Sequence, residues 1–347
     1  MRAFGLSFVP EIPHFAVGRE AGSYLCMKVI KPSVDILDQQ GPGFEGMLRH
    51  IEKVGRISYL SYDKMTEDSY HKFVNMLIKI GHWSCLSCGT VYLNIPRYDI
   101  ELIGKLMSIE TLRKFGPFIR WYETGEGDFH VTTDYRICKK LKIDDEVIQR
   151  YWREPTEDFY HRVTSHWICS RACSHQVVRH RAFCFNQESQ RHINYKEGLT
   201  FILPQWAYTI REKIATTCKW PENEVRSWVR DEDGEKLWGT LICEDRTAAG
   251  RDELWRRVED EYQFEVTSEE SERLKPQDAR GCMCEDCKTE FYMVGFVEDY
   301  FHTPEEDSTE KEGFFYLRTD KAAQDEVRVL ATELKRLFTE AGIDKLK

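Results

Sequence analysis

The chain has 347 residues, of which 41% are hydrophobic and 31% charged, and its formal net charge is −10. A chain of this length can bury a large core as one elaborated domain or two, and its acidity argues against a general nucleic-acid binder, whose surface would be basic. No apolar run approaches the roughly 18–20 residues that span a membrane, and the first residues lack the sustained apolar segment of a secretory signal, so we expect a cytoplasmic protein.

The first third of the chain predicts alternating strands and helices. Residues 1–26 are expected to form an irregular N-terminal extension before one main domain, residues 27–347. Further along, the sequence predicts a strand over 28–37, a Gly-Pro-Gly turn at 41–43, helices over 44–54 and 69–80, and a strand over 91–95. The second helix carries four apolar residues on one face, namely Phe73, Met76, Leu77 and Ile80, and Gly81-His82 is a typical helix end.

The rest of the chain reads as strands, long helices and three insertions. The insertions are placed at about 97–160, 220–250 and 299–312. Residues 230–260 are expected to face solvent, and 303–312 is an acidic loop. A strand is predicted over 163–171, and helices over 206–219, 222–229, 253–273, 277–297 and 322–341. The predicted apolar faces of the last two helices are Phe291, Val294 and Val297, and Val327, Leu330, Leu334 and Leu337. The fold class is therefore α+β.

A cationic cluster is the most informative local feature. Arg179, His180 and Arg181 are consecutive, and Ser189 and Arg191 follow within ten residues. Like charges at close range repel in a helix or strand, so the cluster stabilises neither. Several guanidinium and hydroxyl donors together match an anion, most simply a phosphate. On an acidic protein this favours a small anionic ligand.

Twelve cysteines leave two readings open. Two spacings stand out, Cys85-x-x-Cys88 and Cys282-x-Cys284-x-x-Cys287, and together they would supply a zinc or iron–sulfur site. The alternative is that they are small buried residues with reduced thiols. The second group lacks the paired spacing that makes zinc ribbons specific, so no metal is assigned.

The Arg-His-Arg cluster with a serine eight residues after its last arginine resembles the signature of the flavin-dependent thymidylate synthases. The resemblance extends in order from Ile30 to about Phe338, interrupted by the three insertions. Its landmarks are Gly55 to Tyr59, Gly81 to Ser84, Gln176 with the cluster and Asn186, Ala279-Arg280 after Pro276, and Phe315 to Arg318 followed by Ala323 to Glu326.

This resemblance implies a curved, mostly antiparallel sheet with long helices, and an enzyme that converts dUMP to dTMP. It also implies methylenetetrahydrofolate as carbon donor, reduced FAD as hydride source, NADPH as reductant, and a homotetramer whose active sites are built from several subunits. The implied dUMP ligands are Gln176, Arg179, Ser189, Arg191, Arg280 and Arg318. The implied flavin ligands are Ser58, Ser84, Arg179, His180 and Arg181, with His82 where folate and flavin meet.

Arg318 has the catalytic role in this comparison. A guanidinium beside N3 of uracil would favour the ring anion, as an adjacent cation lowers the pKa of any acid, and would push electron density toward C5. From the residues alone, other readings stay open at three positions. Arg280 also suits a surface salt bridge, Ser189 a hydroxyl that caps a turn, and His82 a simple helix end.

Several positions depart from the family pattern, mainly in the flavin and folate half of the site. They are Gln187, His192, Phe296, Glu298, Ala322 and the pair Ser87-Cys88. Glu298 reverses a charge, and a carboxylate would repel a pyrophosphate. Three hypotheses follow: FAD-dependent methylation of dUMP, synthesis of another C5-modified pyrimidine nucleotide, and a nucleotide-binding module that has lost flavin chemistry.

Overall fold

The computed structural model describes residues 27–217, 234–267, 274–303 and 312–346. The predictions for residues 1–26 and 222–229, and for most of the acidic loop at 303–312, lie outside these ranges. Within them the protein mixes helices with largely antiparallel sheets, which confirms the α+β class.

The strands are β1 Lys28–Ile30, β2 Ser33–Leu37, β3 Thr90–Ile95, β4 Arg120–Glu123, β5 Phe129–Asp134, β6 Arg162–Ser170, β7 Cys184–Gln187, β8 Thr200–Ile202 and β9 Lys288–Phe296. The helices of the first half are α1 Gly43–Gly55, α2 Ser69–Ile80, α3 Trp83–Leu86, α4 Ile100–Met107, α5 Ile109–Phe115, α6 Tyr135–Lys140 and α7 Asp145–Tyr151. The later helices are α8 Arg171–Val177, α9 Gln205–Thr217, α10 Gly234–Glu244, α11 Arg246–Thr267, α12 Pro276–Ala279, α13 Val297–Phe301, α14 Phe314–Arg318 and α15 Asp325–Glu340.

The central sheet has the order β2-β6-β9-β7 and is antiparallel throughout. The helix predicted over 277–297 is wrong, because α12 ends at Ala279, Lys288–Phe296 is a strand, and the next helix, α13, begins only at Val297. Strand β9 lies between β6 and β7, and most of its residues are buried. Burial on both faces removes the apolar–polar alternation that identifies a strand, and a short apolar run then looks like a helix.

The single strand predicted over 28–37 is also wrong. It divides at Lys31-Pro32 into β1, which pairs in parallel with β8, and β2, which pairs antiparallel with β6. Proline has no backbone N–H to donate to a strand ladder, and the chain changes sheets at that point. As a result β1 and β2 belong to different layers of the fold.

Helix α2 has the predicted bounds and the predicted end. Gly81 adopts φ 74° at its C-terminus, and the His82 N–H donates to the Leu77 carbonyl at 2.9 Å, closing the last turn. Phe73 and Leu77 are buried, but Ile80 is 56% exposed, so the predicted apolar face was wrong at its last position.

Residues 230–260 were expected to face solvent, and the described part of this stretch is instead built around a core. Helices α10 and α11 bury Leu237, Trp238, Leu241 and Trp255, and the ring of Trp255 stacks on that of Trp238 at 4.6 Å. These helices pack against β1 and β8. Their charged residues cover the outer surface and conceal the apolar spacing in the sequence.

The stretch at 97–160 folds together with β3 into a second layer. Strand β5 pairs with β3 and β4 in a second antiparallel sheet, and the core of this layer is shared with helices α1 and α2. The C-terminal helix α15 packs on the central sheet through Val327, Leu330 and Leu334, which are buried as predicted, while Leu337 is partly exposed. No helix among the described residues is long and apolar enough to cross a membrane.

Candidate functional site

The cationic cluster occupies the reversal between helix α8 and strand β7. The Ser170 side chain accepts a hydrogen bond from the Cys173 N–H at 3.1 Å and starts the helix. Successive turns follow it, with the His180 N–H donating to the Val177 carbonyl at 3.2 Å. The Phe183 ring then packs on Gly295 of β9, where a Cβ atom would lie only 2.1 Å from the ring. Glycine at this position lets the reversal seat against the sheet.

A cavity of about 280 Å³ opens beside this reversal, and we call it the arginine pocket. Three of the predicted nucleotide ligands line it together, Ser189, Arg191 and Arg280. The other lining residues are Arg171, His175, Gln187, Glu188, Gln190 and Thr289. The residues come from α8, from the end of β7, from the turn after α12 and from the start of β9, so the pocket is assembled from segments far apart in the chain.

Three guanidiniums give the arginine pocket its charge. Arg171 donates to the Met283 carbonyl at 2.9 Å and Arg280 to the Gln277 carbonyl at 3.1 Å. Within the described ranges, no carboxylate lies within ion-pair distance of Arg171, Arg191 or Arg280. Cations without acidic partners on a protein of net charge −10 are suited to an anionic ligand.

The acidic residue that lines the pocket, Glu188, is held by hydrogen bonds. Glu188, which is 5% exposed, accepts hydrogen bonds from Lys288 at 2.8 Å and from the Tyr195 hydroxyl at 2.5 Å. Lys288 also donates to Glu290 at 2.9 Å, and His166 lies 2.7 Å from the same carboxylate. Burial alone would raise the pKa of Glu290, but the hydrogen bonds from His166 and Lys288 lower it to about 2. This network fixes the position of the Glu188 carboxylate, which lines the pocket.

A second group of predicted residues meets around the C-terminal end of α8. Arg318 Nε donates to His180 Nε2 at 2.7 Å, and Arg318 Nη2 donates to the Gln176 carbonyl at 3.3 Å. Arginine is only a donor, so Nε2 is the acceptor and the neutral ring carries its proton on Nδ1. Burial and the neighbouring Arg318 lower the pKa of His180 to about 4, which keeps the ring neutral at pH 7. The Gln176 side chain donates to Gln324 at 3.4 Å.

The residues predicted to bind the flavin differ in their exposure and in whether their polar groups are already hydrogen-bonded. Arg179, Arg181 and Ser84 are exposed, and no described acidic group pairs with either guanidinium. Ser58 is buried and donates to Asn186 at 3.1 Å, so its hydroxyl is already engaged. His82 Nδ1 lies 3.3 Å from the Tyr59 hydroxyl, and burial followed by the nearby His192 lowers its pKa.

Two of the residues that depart from the family pattern, Phe296 and Glu298, contact Arg120 of the stretch at 97–160. Phe296 is 1% exposed and lies under the Arg120 guanidinium at 4.8 Å. Arg120 also pairs with Glu298 at 3.6 Å and with Asp299 at 3.3 Å. The reversed charge at Glu298 is therefore matched inside the chain. Ala322 is exposed in the turn before α15, and the His192 ring packs against Tyr59 at 5.5 Å.

Sequence reasoning missed Arg171, His175, Glu188 and Thr289, all of which line the pocket. Arg171 and His175 are four residues apart, a spacing that places two side chains on one helix face. That signal was hidden because Arg171 was predicted to end the strand over 163–171, whereas it begins α8. Thr289 could not be predicted to line the pocket, because the segment that carries it was predicted to be a helix.

Comparison with known proteins places these observations in a family. Residues 160–341, just over half of the chain, match the family described as thymidylate synthase complementing protein. Two similar solved structures are of the UMP/dUMP methylase PolB from Streptomyces cacaoi. The one bound with 5-Br dUMP has 12% identity, covers 90% of this chain and 93% of that chain, and gives a TM-score of 0.35. The one bound with 5-Br UMP has 11% identity, covers 92% and 94%, and gives 0.36.

No curated protein matches the chain. The family match includes the Arg-His-Arg reversal, the arginine pocket and Arg318, so it covers the residues that carry the site as well as the central strands. The chain therefore belongs to the thymidylate synthase complementing protein family.

Proposed function

We propose that this protein transfers a one-carbon unit from methylenetetrahydrofolate to C5 of a pyrimidine nucleoside monophosphate, dUMP by default, with reduced FAD as hydride donor. The observation that carries the proposal is the arginine pocket, which brings Ser189, Arg191 and Arg280 together in a member of this family. Its size also fits, since 280 Å³ is close to the lower end, about 300 Å³, of pockets that hold small molecules.

The phosphate of the nucleotide would bind in the arginine pocket. A nucleoside monophosphate carries nearly two negative charges, and forked guanidiniums match its oxygens in bidentate pairs. Arg191 and Arg280 supply the forks and the Ser189 hydroxyl a further donor. Glu188 opposes the ligand less than a free carboxylate would, because Lys288 and the Tyr195 hydroxyl already donate hydrogen bonds to it.

Arg318 would act on the pyrimidine ring. A guanidinium beside N3 and the ring carbonyls stabilises the ring anion, which makes C5 the nucleophile. Neutral His180 holds Arg318 through Nε, and the Gln176 carbonyl holds it through Nη2. The ring charge is stabilised without a thiol adduct, so the buried cysteines have no required role in the reaction.

The residues present fit the flavin only in part. Arg179 and Arg181 are exposed and free of described acidic partners, and would hold the pyrophosphate of FAD, with Ser84 and His82 beside them. When bound, FAD would supply the hydride, and NADPH would reduce it. Phe296, Glu298 and Ala322 offer no donor to a phosphate, and Ser58 already donates to Asn186.

The assembly and domain organisation follow the family expectation. We infer one catalytic domain over 27–347 with insertions at about 97–160, 220–250 and 299–312. We also infer a cytoplasmic homotetramer whose neighbouring subunits complete the flavin half of each site. The net charge of −10 argues against nucleic acid as a partner.

One specific observation favours a second candidate, a nucleotide-binding module without flavin chemistry. The pairing of Arg120 with Glu298 and Asp299 satisfies groups at the positions where the family binds flavin. The two candidates differ in the absorption spectrum of the concentrated protein with added FAD. Flavin absorption that shifts on adding dUMP supports the enzyme, whereas a protein that FAD leaves unchanged supports the module. A different C5-modified product, detected by mass after incubation with dUMP, dCMP or UMP, would instead identify another substrate.

Changing Arg191 to Ala should weaken dUMP binding by about 10- to 100-fold, because a hydrogen bond to a charged group contributes about 1.5–3 kcal/mol. Titration calorimetry measures the affinity. Arg336→Ala is the matched control, since it removes the same charge from the surface of α15. Equal dUMP affinity in the Arg191 and Arg336 variants would contradict the phosphate site.

A further inference from the structure

Two thiols face each other in the turn that enters strand β9. The sulfur atoms of Cys284 and Cys287 are 3.9 Å apart, and the Cys287 N–H donates to the Cys284 carbonyl at 3.2 Å, closing the turn. Both residues are free cysteines. Cys287 is 1% exposed and Cys284 is half-buried. Thiol–disulfide exchange uses this asymmetry, with an accessible thiol that attacks and a sheltered one that resolves.

The third cysteine of the segment does not convert the pair into a metal site. Cys282 Sγ donates to the Ala279 carbonyl at 3.3 Å. Among the described residues, the group of three or more potential metal ligands whose atoms converge is a different one, Cys169, Cys173 and Glu326. There both oxygens of Glu326 already accept hydrogen bonds from Ser170. The pair at 284 and 287 therefore stands as a dithiol.

The turn holds the two thiols in unequal states. A hydrogen bond from the Cys287 thiol, helped by the Asp286 N–H, lowers the pKa of Cys284 to about 7. The same hydrogen bond and burial raise the pKa of Cys287. Near neutral pH a substantial part of Cys284 is thiolate, the form that attacks disulfides.

We propose that Cys284 and Cys287 form a thiol–disulfide exchange site that reacts with an external disulfide and lies against the wall of the arginine pocket. The Cys284 thiolate attacks one sulfur of the external disulfide, forms a mixed disulfide and releases the first external thiolate. Cys287 then gives up its proton to that thiolate and attacks the Cys284 sulfur. The Cys284–Cys287 disulfide forms and the second external thiolate leaves, so two protein thiols are oxidised and one external disulfide is reduced.

The turn is bonded to the pocket at both ends. The Arg171 guanidinium, which lines the pocket, donates to the carbonyl of Met283, and the Arg171 N–H donates to the carbonyl of Cys287 at 3.1 Å. Cys287 is better anchored than Cys284. Its carbonyl accepts the hydrogen bond from Arg171, and the carboxylate of the adjacent Asp286 accepts hydrogen bonds from Arg251 and from Trp255.

A disulfide requires the sulfur atoms to approach from 3.9 Å to about 2.05 Å. The movement should fall mainly on Cys284 and on the adjoining Met283 carbonyl, and so disturb Arg171. Oxidation should therefore weaken dUMP binding by about fivefold or more, the low end of ordinary coupling between two sites. This coupling rests on the proposed nucleotide site, whereas the exchange site does not.

Peptide mass analysis tests the exchange site directly. The whole protein is incubated with oxidised glutathione, its remaining thiols are alkylated, and it is cleaved with trypsin, which releases residues 281–288 as one peptide with all three cysteines. In the wild type we expect a peptide short of two hydrogens, with only Cys282 alkylated. Cys287→Ser should trap the mixed disulfide and carry one glutathione on Cys284. The control Cys243→Ser removes an exposed cysteine elsewhere and should behave as wild type.

Three alkylated cysteines in the wild-type peptide, or a disulfide that includes Cys282, would overturn the proposal. So would glutathione on Cys243 with none on Cys284 in the Cys287 variant. Calorimetric titration of dUMP into reduced and oxidised protein then tests the coupling, and equal affinities would overturn it. If neither form binds dUMP, the proposed function and the coupling fail together, while the peptide result still decides the exchange site.

Discussion

Replacing Arg318 with alanine should lower the rate of C5 methylation by about 10²- to 10³-fold, the usual loss when one preorganised donor to a developing charge is removed. Folding should change much less. Arg318 is half-buried, and its hydrogen bonds to His180 and the Gln176 carbonyl contribute about 1 kcal/mol each. Steady-state kinetics with dUMP and thermal unfolding measure the two effects separately.

Two further variants and one titration make this prediction specific. Arg318→Lys retains the charge without the planar fork and should recover only part of the rate. Arg328→Ala removes an arginine that pairs with Asp325 on the surface of α15, and should leave the rate unchanged. In Arg318→Ala, the pKa of His180 should rise from about 4 toward 6.5, which NMR detects. A variant that is much less stable than the wild type but keeps its rate of dUMP turnover would contradict the role of Arg318.

Replacing Lys288 with methionine should destabilise the fold by about 3–5 kcal/mol, the range for removing one partner of a buried ion pair. Lys288 bridges Glu188 and Glu290, whose side chains are 1% and 14% exposed, so the variant leaves two sheltered carboxylates without their cation. Urea unfolding at pH 7 measures the loss. Lys288→Arg is the matched control and should retain most of the stability, because it keeps the charge.

The destabilisation should depend on pH in a defined direction. The folded pKa of Glu290 is about 2 and the ordinary value is 4.5, so its ionised form stabilises the fold above pH 4.5, and this contribution is lost as the pH falls toward 2. Without Lys288 this contribution of Glu290 is smaller. The difference in the free energy of unfolding between wild type and Lys288→Met should therefore decrease below pH 4.5. A difference in the free energy of unfolding that stays constant from pH 7 to pH 3 would show that Lys288 acts through packing alone.

Local signals were sufficient where one helix face meets the core. Helix α2 combines apolar residues at helical spacing with a glycine at its end, and its bounds match the prediction, Ser69–Ile80. The same periodicity failed for Lys288–Phe296, because a central strand buried on both faces has no alternation to detect. It also missed α10 and the start of α11, and the buried rings of Trp238 and Trp255, which lie among many charged residues.

The site was predictable where it depends on residues close together in the chain. The segment from Arg179 to Arg191 predicted an anion site, and the structure brings its Ser189 and Arg191, but not Arg179 or Arg181, into the arginine pocket. The hydrogen bond that holds Glu188 in that pocket was not predictable, because Lys288 reaches Glu188 only through the pairing of β7 with β9. The partner of Glu298 could not be predicted either, since Arg120 is separated from it by about half of the chain.

The most direct test of C5 methylation is product analysis after incubation of the purified protein with dUMP, methylenetetrahydrofolate, FAD and NADPH, with UMP in a parallel reaction. We predict a nucleotide heavier by one methylene group, and release of tritium from substrate labelled at C5. Arg318→Ala should suppress both signals, and Arg328→Ala should retain them. A wild-type protein that binds dUMP but changes neither the mass nor the label of either nucleotide would contradict C5 methylation.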